Sequence, residues 1–415
     1  MRYWYFSTFV VAVLAGALPF GCAPGATQSD GGSMIDAIVG ASDNTGATAT
    51  GDAPTGDTET PASVVPTQSR IQEAHLSGAL GGSGDYQLFD LGDGRYGDKW
   101  TITSDAASSG SYLVVLFDAN DDLLYRQLVT TRAPFVHTLR RDTNVVRAGV
   151  TPAYGSKGGT FNFQAALSGA SVPAAQPQVV WVNFGPGSDV HVHQREGISF
   201  PAFDAGTLGT AYVGHTDDMK AAIIDAMLDD YAPYNVIIMT SDDGPPPSAP
   251  FATLHIGGDD NRLLGLADNV DQYNTNRGQT AVIYVESFAD FAVMRLDPGE
   301  MAQMIGNTAS HELGHLLGLY HTKTVEDLMD TTGTAWDLVA NQSFIRGDLE
   351  PSVFPFGYEN CPERLADAVG WNPDESAQTV TKSVDRAKML RKAELRSMMQ
   401  HELRCRCGNC LNPDG

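Results

Sequence analysis

Between residues 70 and 175 the large apolar residues come in short runs. "YQLFDL", "KWTITS", "SYLVVLFD", "LLYRQLV", "NVVRAGVTP" and "TFNFQAAL" are rich in Val, Tyr, Phe and Thr, which suit a pleated, half-buried surface. "GDG", "DANDD" and "SKGG" separate them as turn signals. This pattern predicts an all-β sandwich. After residue 176 the period changes. "QVVWVNF" reads as a buried strand. In "DDMKAAIIDAMLDDYAPY", Met219, Ile223, Met227 and Tyr231 recur four apart, which predicts one apolar helix face. "NVIIMTSD", "FATLHIGG" and "TAVIYVES" follow as strands, and "DPGEMAQMIGNTAS" opens a second helix. There Asp297 suits the N-cap, Pro298 the first helical position and Glu300 the third position of a capping box. A last helix is expected from Pro362 to Val369. The chain is therefore expected to be α+β, with a sandwich at 70–175 and a mixed sheet-and-helix domain at 176–372.

The ends of the chain differ in character. In residues 1–22 Arg2 is the only charge, Tyr3 to Phe20 is apolar, and the segment closes on "LPFGC". This pattern predicts a secretory signal peptide. Gly21-Cys22 resembles a bacterial lipoprotein cleavage site, which implies a lipid on Cys22 and a membrane contact through it. The alternatives are an ordinary cleaved signal and a retained anchor, and all three export the chain. The expected location is the outer membrane or cell surface, otherwise the medium. Residues 23–69 are rich in Gly, Ala, Ser, Thr, Asp and Pro and are expected to form a disordered linker. Residues 373–415 carry a basic helical run, "KSVDRAKMLRKAELRSMMQHELRC". It is expected to dock on the acidic body or to touch anionic lipid.

Charge narrows the partners. There are 50 acidic against 26 basic residues, a net charge of −24, which excludes a nucleic-acid partner because phosphate binding needs a basic surface. The cysteines are Cys22, Cys361, Cys405, Cys407 and Cys410. With Cys22 lipidated, an even number remains in an exported chain, and two disulfides are expected. "CRCGNC" as a metal cluster is the alternative, but it lacks the second pair of ligands that zinc ribbons use.

Histidine changes the picture most. The chain has 10 histidines, and three of them fall in "HELGHLLGLYH", residues 311–321. Four helical residues turn through about 400°, so His311 and His315 project from one face. His321 would point about 120° away if the helix continued. Gly318 lies between them, where a left-handed residue can turn the chain back. Three neutral nitrogens suit one zinc ion and leave a position for water, whose pKa the metal lowers toward about 7. Glu312 stands beside the first ligand, where it can take that water's proton and pass it to a leaving amine. The expected ligands are thus His311, His315 and His321, and the expected catalytic residue is Glu312.

The motif HExxHxxGxxH, as it stands here, resembles the zinc-binding helix of the metzincin metallopeptidases. "EDLMDTTG" supplies Met329, eight residues past His321, similar to the turn methionine of the matrix-metallopeptidase branch. The resemblance implies a zinc endopeptidase acting on protein or peptide substrates, with one catalytic zinc on the three histidines. It implies Glu312 as general base, Gly318 as the turn glycine and Met329 as the floor of the site. It also implies an edge strand that pairs with an extended substrate, for which "FATLHIGG" is the candidate. The chain departs from the family in two places. Asp330-Thr331-Thr332 follows Met329, where some members carry a tyrosine ligand. No cysteine lies between residues 23 and 360 to silence a precursor. The rival readings are a surface zinc-binding or structural lipoprotein without turnover, and a zinc amidase acting on a non-protein amide. Glu312 favours an enzyme, since zinc binding alone does not need it.

Other polar residues carry less. His75, His137 and His255 are isolated. His191 and His193 in "HVH" are alternately a second metal pair or a polar loop face. "DNVDQYNTNRG" offers oxygens for calcium, but without the EF-hand spacing, and reads better as a solvated loop. "HEL" at 401–403 lacks a second histidine.

Overall fold

The computed structural model describes residues 71–373, apart from residues 83, 106, 107, 109, 154 and 249. The expected signal peptide with Cys22, the linker at 23–69 and the tail with Cys405, Cys407 and Cys410 lie outside the described residues.

The first eight strands are β1 (Glu73–Leu80), β2 (Gln87–Asp90), β3 (Asp98–Ser104), β4 (Tyr112–Phe117), β5 (Leu123–Val129), β6 (Phe135–Thr138), β7 (Arg147–Pro152) and β8 (Gly159–Gly169). They form two antiparallel sheets, ordered β1-β8-β3-β6 and β2-β7-β4-β5. Alternate residues point inward, as a period of two requires. Trp100, Ile102, Phe161 and Phe163 of the first sheet meet Val114, Leu116 and Val150 of the second in one core. Strand β4 breaks the alternation, because every residue of "YLVVLF" is buried. Val115 and Phe117 face the other way, into a cluster with Tyr320 and Phe354. The outer face of the second sheet is thus covered by the later part of the chain.

That later part begins with β9 (Gln178–Asn183), the hairpin β10 (Gly187–Val192) and β11 (Arg195–Phe200), and helix α1 (Thr216–Tyr231). Strands β12 (Val236–Thr240), β13 (Ala252–Ile256), β14 (Gly265–Ala267) and β15 (Thr280–Ile283) precede helix α2 (Pro298–Leu316). Then come α3 (Ala335–Val339), β16 (Arg346–Asp348), β17 (Tyr358–Asn360) and α4 (Cys361–Val369). The five-stranded sheet is ordered β12-β9-β13-β15-β14, and only β14 runs antiparallel to its neighbour. Residues Val180, Val182, Leu254 and Ile283 face the buried stripes of α1 and α2. The opposite side of β14 and β15 packs Leu266, Val282 and Tyr284 against Val190 and Phe200 of the hairpin. The molecule is mixed α+β, with more sheet than helix. Among the described residues no helix is long and apolar enough to cross a membrane.

One expectation is corrected here. "FATLHIGG" forms β13, which lies between β9 and β15 rather than at an edge. The edges are β12 and the three-residue β14, where the chain doubles back onto β15. Lateral order in a parallel sheet is set by crossover packing and not by order in the sequence.

Candidate metal centre

Helix α2 starts where its capping residues place it. Glu300 N donates to Asp297 Oδ1 at 2.9 Å, Asp297 N donates to Glu300 Oε2 at 2.9 Å, and Pro298 follows the cap. From Ile305 to Leu316 every side is buried, so its polar residues must find partners inside the protein.

His311 and His315 lie one turn apart near the end of this helix. Leu317 closes it, and Gly318 takes φ +99°. Gly318 N donates to His315 O at 2.9 Å and Leu319 N to Gly314 O at 2.9 Å, which satisfies the last carbonyls of the helix. Any Cβ on Gly318 would also fall 2.9 Å from Asp271 O, Gln272 Cα and Tyr273 N. Conformation and space both require glycine. The reversed chain then brings His321 back, and its Nε2 stands 3.0 Å from His315 Nε2. His315 Nε2 is 3.1 Å from His311 Nε2.

The tautomers follow from the carbonyls behind the rings. His311 Nδ1 lies 2.7 Å from Leu328 O and His315 Nδ1 lies 2.9 Å from Leu319 O. A carbonyl can only accept, so both Nδ1 atoms carry the proton and both Nε2 atoms present bare lone pairs. Two such lone pairs about 3 Å apart repel, and a shared cation resolves the conflict. Burial pushes His311 down to about 4, and it pushes His315 and His321 well below the usual histidine range. Neutral imidazole is the form that ligates metal. Among the described residues these three histidines form the group whose donor atoms converge, all within 4.8 Å. The donor set fits zinc.

Glu312 is fully buried on the same helix and rests against edge strand β14. Neither oxygen has a hydrogen-bond partner of good geometry. Burial pushes its carboxyl up to about 8, and the Ala267 amide pulls weakly the other way.

Met329 is fully buried. A Cβ on Gly314 would meet its sulfur at 2.7 Å, so the thioether packs against the helix between the two ligand turns. Its carbonyl accepts from Thr322 N at 2.9 Å, and Asp330 N donates to Asp327 O at 3.1 Å to tighten the turn. Asp327 is buried beneath, where it accepts Thr322 Oγ1 at 2.9 Å, and burial raises it to about 6. Cys361 is a free, fully buried thiol 3.5 Å from the same carboxylate. Cys405, Cys407 and Cys410, the other members of the expected disulfides, lie outside the described residues.

The other polar candidates do not converge. Strand β10 ends at Val192, and His193 turns away at φ +54°, donating its N–H to Asp268 Oδ1 at 2.8 Å. His191 is exposed near Asp189. His255 Nδ1 pairs with Asn183 at 3.0 Å, and His137 is buried in the sandwich against Tyr125. The loop read as solvated, with calcium as its alternative, spends its oxygens on protein donors. Asp271 accepts Thr275 Oγ1 at 2.6 Å and Asn276 N at 2.7 Å, and Asp268 accepts Thr280 N at 2.7 Å. Asp271 and Asn274 are buried. Gly265 and Arg364, both close to the site, carry no signal in the sequence that would have singled them out.

No protein-family model matches the chain, and no curated protein matches it. Solved structures are similar to parts of it. PliG, a periplasmic lysozyme inhibitor of g-type lysozyme from Aeromonas hydrophila, is 13% identical, with 24% of this chain and 88% of that chain covered and a TM-score of 0.20. A carbohydrate-binding module, CBM36 in complex with calcium and xylotriose, is 15% identical over 24% of this chain and 100% of that one, with a TM-score of 0.18. PirA is 7% identical over 25% of this chain and 100% of that one, also at 0.18. Likenesses this weak do not bear on function.

Proposed function

We propose that the chain is a zinc-dependent endopeptidase with a metzincin-like catalytic domain at 176–372, preceded by the β-sandwich. The observation that carries this reading is the convergence of three histidine Nε2 atoms beside a buried glutamate on the same helix. His311, His315 and His321 would hold the metal, with Gly318 forming the turn and Met329 the floor. Zinc held there supplies Lewis acidity toward a water and a scissile carbonyl. Glu312 accepts the proton of the attacking water and delivers it to the nitrogen of the leaving amine. Strand β14 has β15 as its one neighbour in the sheet, so its other edge offers main-chain groups to an extended peptide. Substrates are then proteins or peptides. The signal in residues 1–22 supports export, with Cys22 as the lipid anchor.

The test is cleavage of a mixed peptide library by the zinc-loaded chain beside Glu312→Ala. Cuts confined to the wild type are expected. Equal cleavage by both would overturn the role of Glu312. No cleavage by zinc-loaded wild type would favour a zinc-binding protein without turnover.

A further inference from the structure

We infer that the β-sandwich is a positioning element of the metal centre, acting through Arg364, which holds the turn before His321 against strand β5. This rests on reading the histidine triad as a metal site.

The third ligand lacks what orients the other two. His311 and His315 each have a backbone carbonyl behind Nδ1, whereas among the described residues no carbonyl bonds Nδ1 of His321. A ligating histidine needs its ring and tautomer fixed from behind. His321 is held instead through its backbone, by Glu350 N on its carbonyl at 3.1 Å and by Thr322 N on Met329 O at 2.9 Å on one side and residues 318–320 on the other.

Three observations tie this backbone to the sandwich. First, Arg364 on α4 is buried beside Glu359, 2.7 Å from its carboxylate. One guanidinium nitrogen donates to Leu123 O at 3.2 Å and to Leu124 O at 2.9 Å, at the start of β5. The other donates to Gly318 O at 2.8 Å. The planar fork thus spans from sandwich to turn in a way lysine cannot copy. Second, Tyr320, next to His321, is buried among Val115, Phe117 and Leu123 on the outer face of the sandwich. Third, the segment touching Gly318 is itself docked on β5. Gln272 accepts from Arg126 N at 2.9 Å and donates to Arg126 O at 2.8 Å, so its amide copies a strand partner. Tyr273 donates to Leu124 O at 2.5 Å, and Asp271 N donates to His315 O at 3.0 Å. The order of contact is β5, then residues 271–273, then Gly318. Through these contacts the sandwich fixes the backbone that leads into His321.

The test uses the full chain. Glu359→Leu combined with Arg364→Met removes both buried charges at similar volume, which preserves folding better than removing one partner. Zinc affinity is measured by competition titration well below the unfolding midpoint, together with amide exchange at Leu319, Tyr320 and His321. The expected result is zinc affinity weaker by about 10- to 100-fold, with faster exchange at those three amides and unchanged exchange at His311. A general loss of stability would not move the affinity of the folded protein. Wild-type affinity and exchange in the double variant would overturn the inference. If that variant fails to fold, Arg364→Lys keeps the charge beside Glu359 but loses the fork to Leu124 and Gly318, and wild-type zinc affinity there would overturn it instead. A wild type that binds no zinc would sink the metal-site reading itself. A wild type that binds zinc with unchanged variants sinks the positioning role alone.

Discussion

Gly265 and Glu312 are in direct contact. A Cβ on the glycine would fall 2.6 Å from the glutamate Cγ and 2.8 Å from its Cδ. The absence of a side chain at Gly265 is what lets the carboxylate lie against the edge strand. Gly265→Ala is expected to push the carboxylate aside without touching a ligand. Displacing a reacting group by about 1 Å costs on the order of 100-fold in rate, so kcat should fall by that much at unchanged zinc affinity. Steady-state kinetics and a metal titration on the same sample check both halves.

Glu312→Gln removes the base and keeps the shape. Peptide cleavage should drop by about 10²- to 10⁴-fold. Stability should hold or rise, because burial disfavours a carboxylate there and a neutral amide avoids that cost. Thermal unfolding with zinc bound, read beside the rate, separates this outcome from misfolding.

His321→Ala leaves two ligands on one helix turn. Zinc affinity should weaken by more than about 100-fold, beyond what loss of an outer-shell partner costs. An unchanged titration curve would remove His321 from the metal centre.

Gly318→Ala meets both a positive φ and the backbone of residues 271–273. A non-glycine residue held in such a conformation costs about 1–3 kcal/mol before any clash. Denaturant midpoints should show at least that loss, and the apparent zinc affinity should fall with it, since the strain lies between two ligands.

The metal-free chain should be most stable near neutrality. Burial lowers His137 to about 3 and His255 and His311 to about 4. A lowered histidine stabilises the fold above its ordinary value near 6.5, and that contribution is lost as pH falls through the folded value. Burial raises Asp327 to about 6 and Glu312 to about 8. A raised carboxyl stabilises the fold at low pH, and that contribution is lost as pH rises through the folded value. Urea midpoints with a chelator present should therefore be higher at about pH 6.5 than at about pH 4 or pH 9. A steady rise from acid to alkaline pH would contradict the assignments for the carboxyls.

The parts of this molecule legible in its sequence are those decided within a few residues. The cap at Asp297, the shared face of His311 and His315 and the turn at Gly318 each depend on neighbours on the same short segment. What depended on distant neighbours was not legible. "FATLHIGG" carries a strong strand pattern, yet its place beside β15 depends on how the crossovers pack. Edge strand β14 is three residues long with a glycine, and short strands of that kind give no periodic signal. The loop at 268–278 has the composition of a solvated or calcium-binding segment. Its Gln272 instead finds a partner 146 residues away, at Arg126. Cys361 could be counted among cysteines, but its burial beside Asp327 depends on where α4 docks.

The clamp on the third ligand also sets a schedule. Arg364 follows Gly318 by 46 residues and follows Leu124 by 240. A chain made or exported from its N-terminus can form the sandwich early, since those strands pair among themselves. The triad is then already synthesised, but the residue that locks its third member has yet to emerge. The Arg364 contacts cannot form until that residue is available, and their loop-closure cost slows them further. If the triad is the hydrolytic centre proposed above, its late completion leaves it little chance to cut its own unfolded segments on the way out.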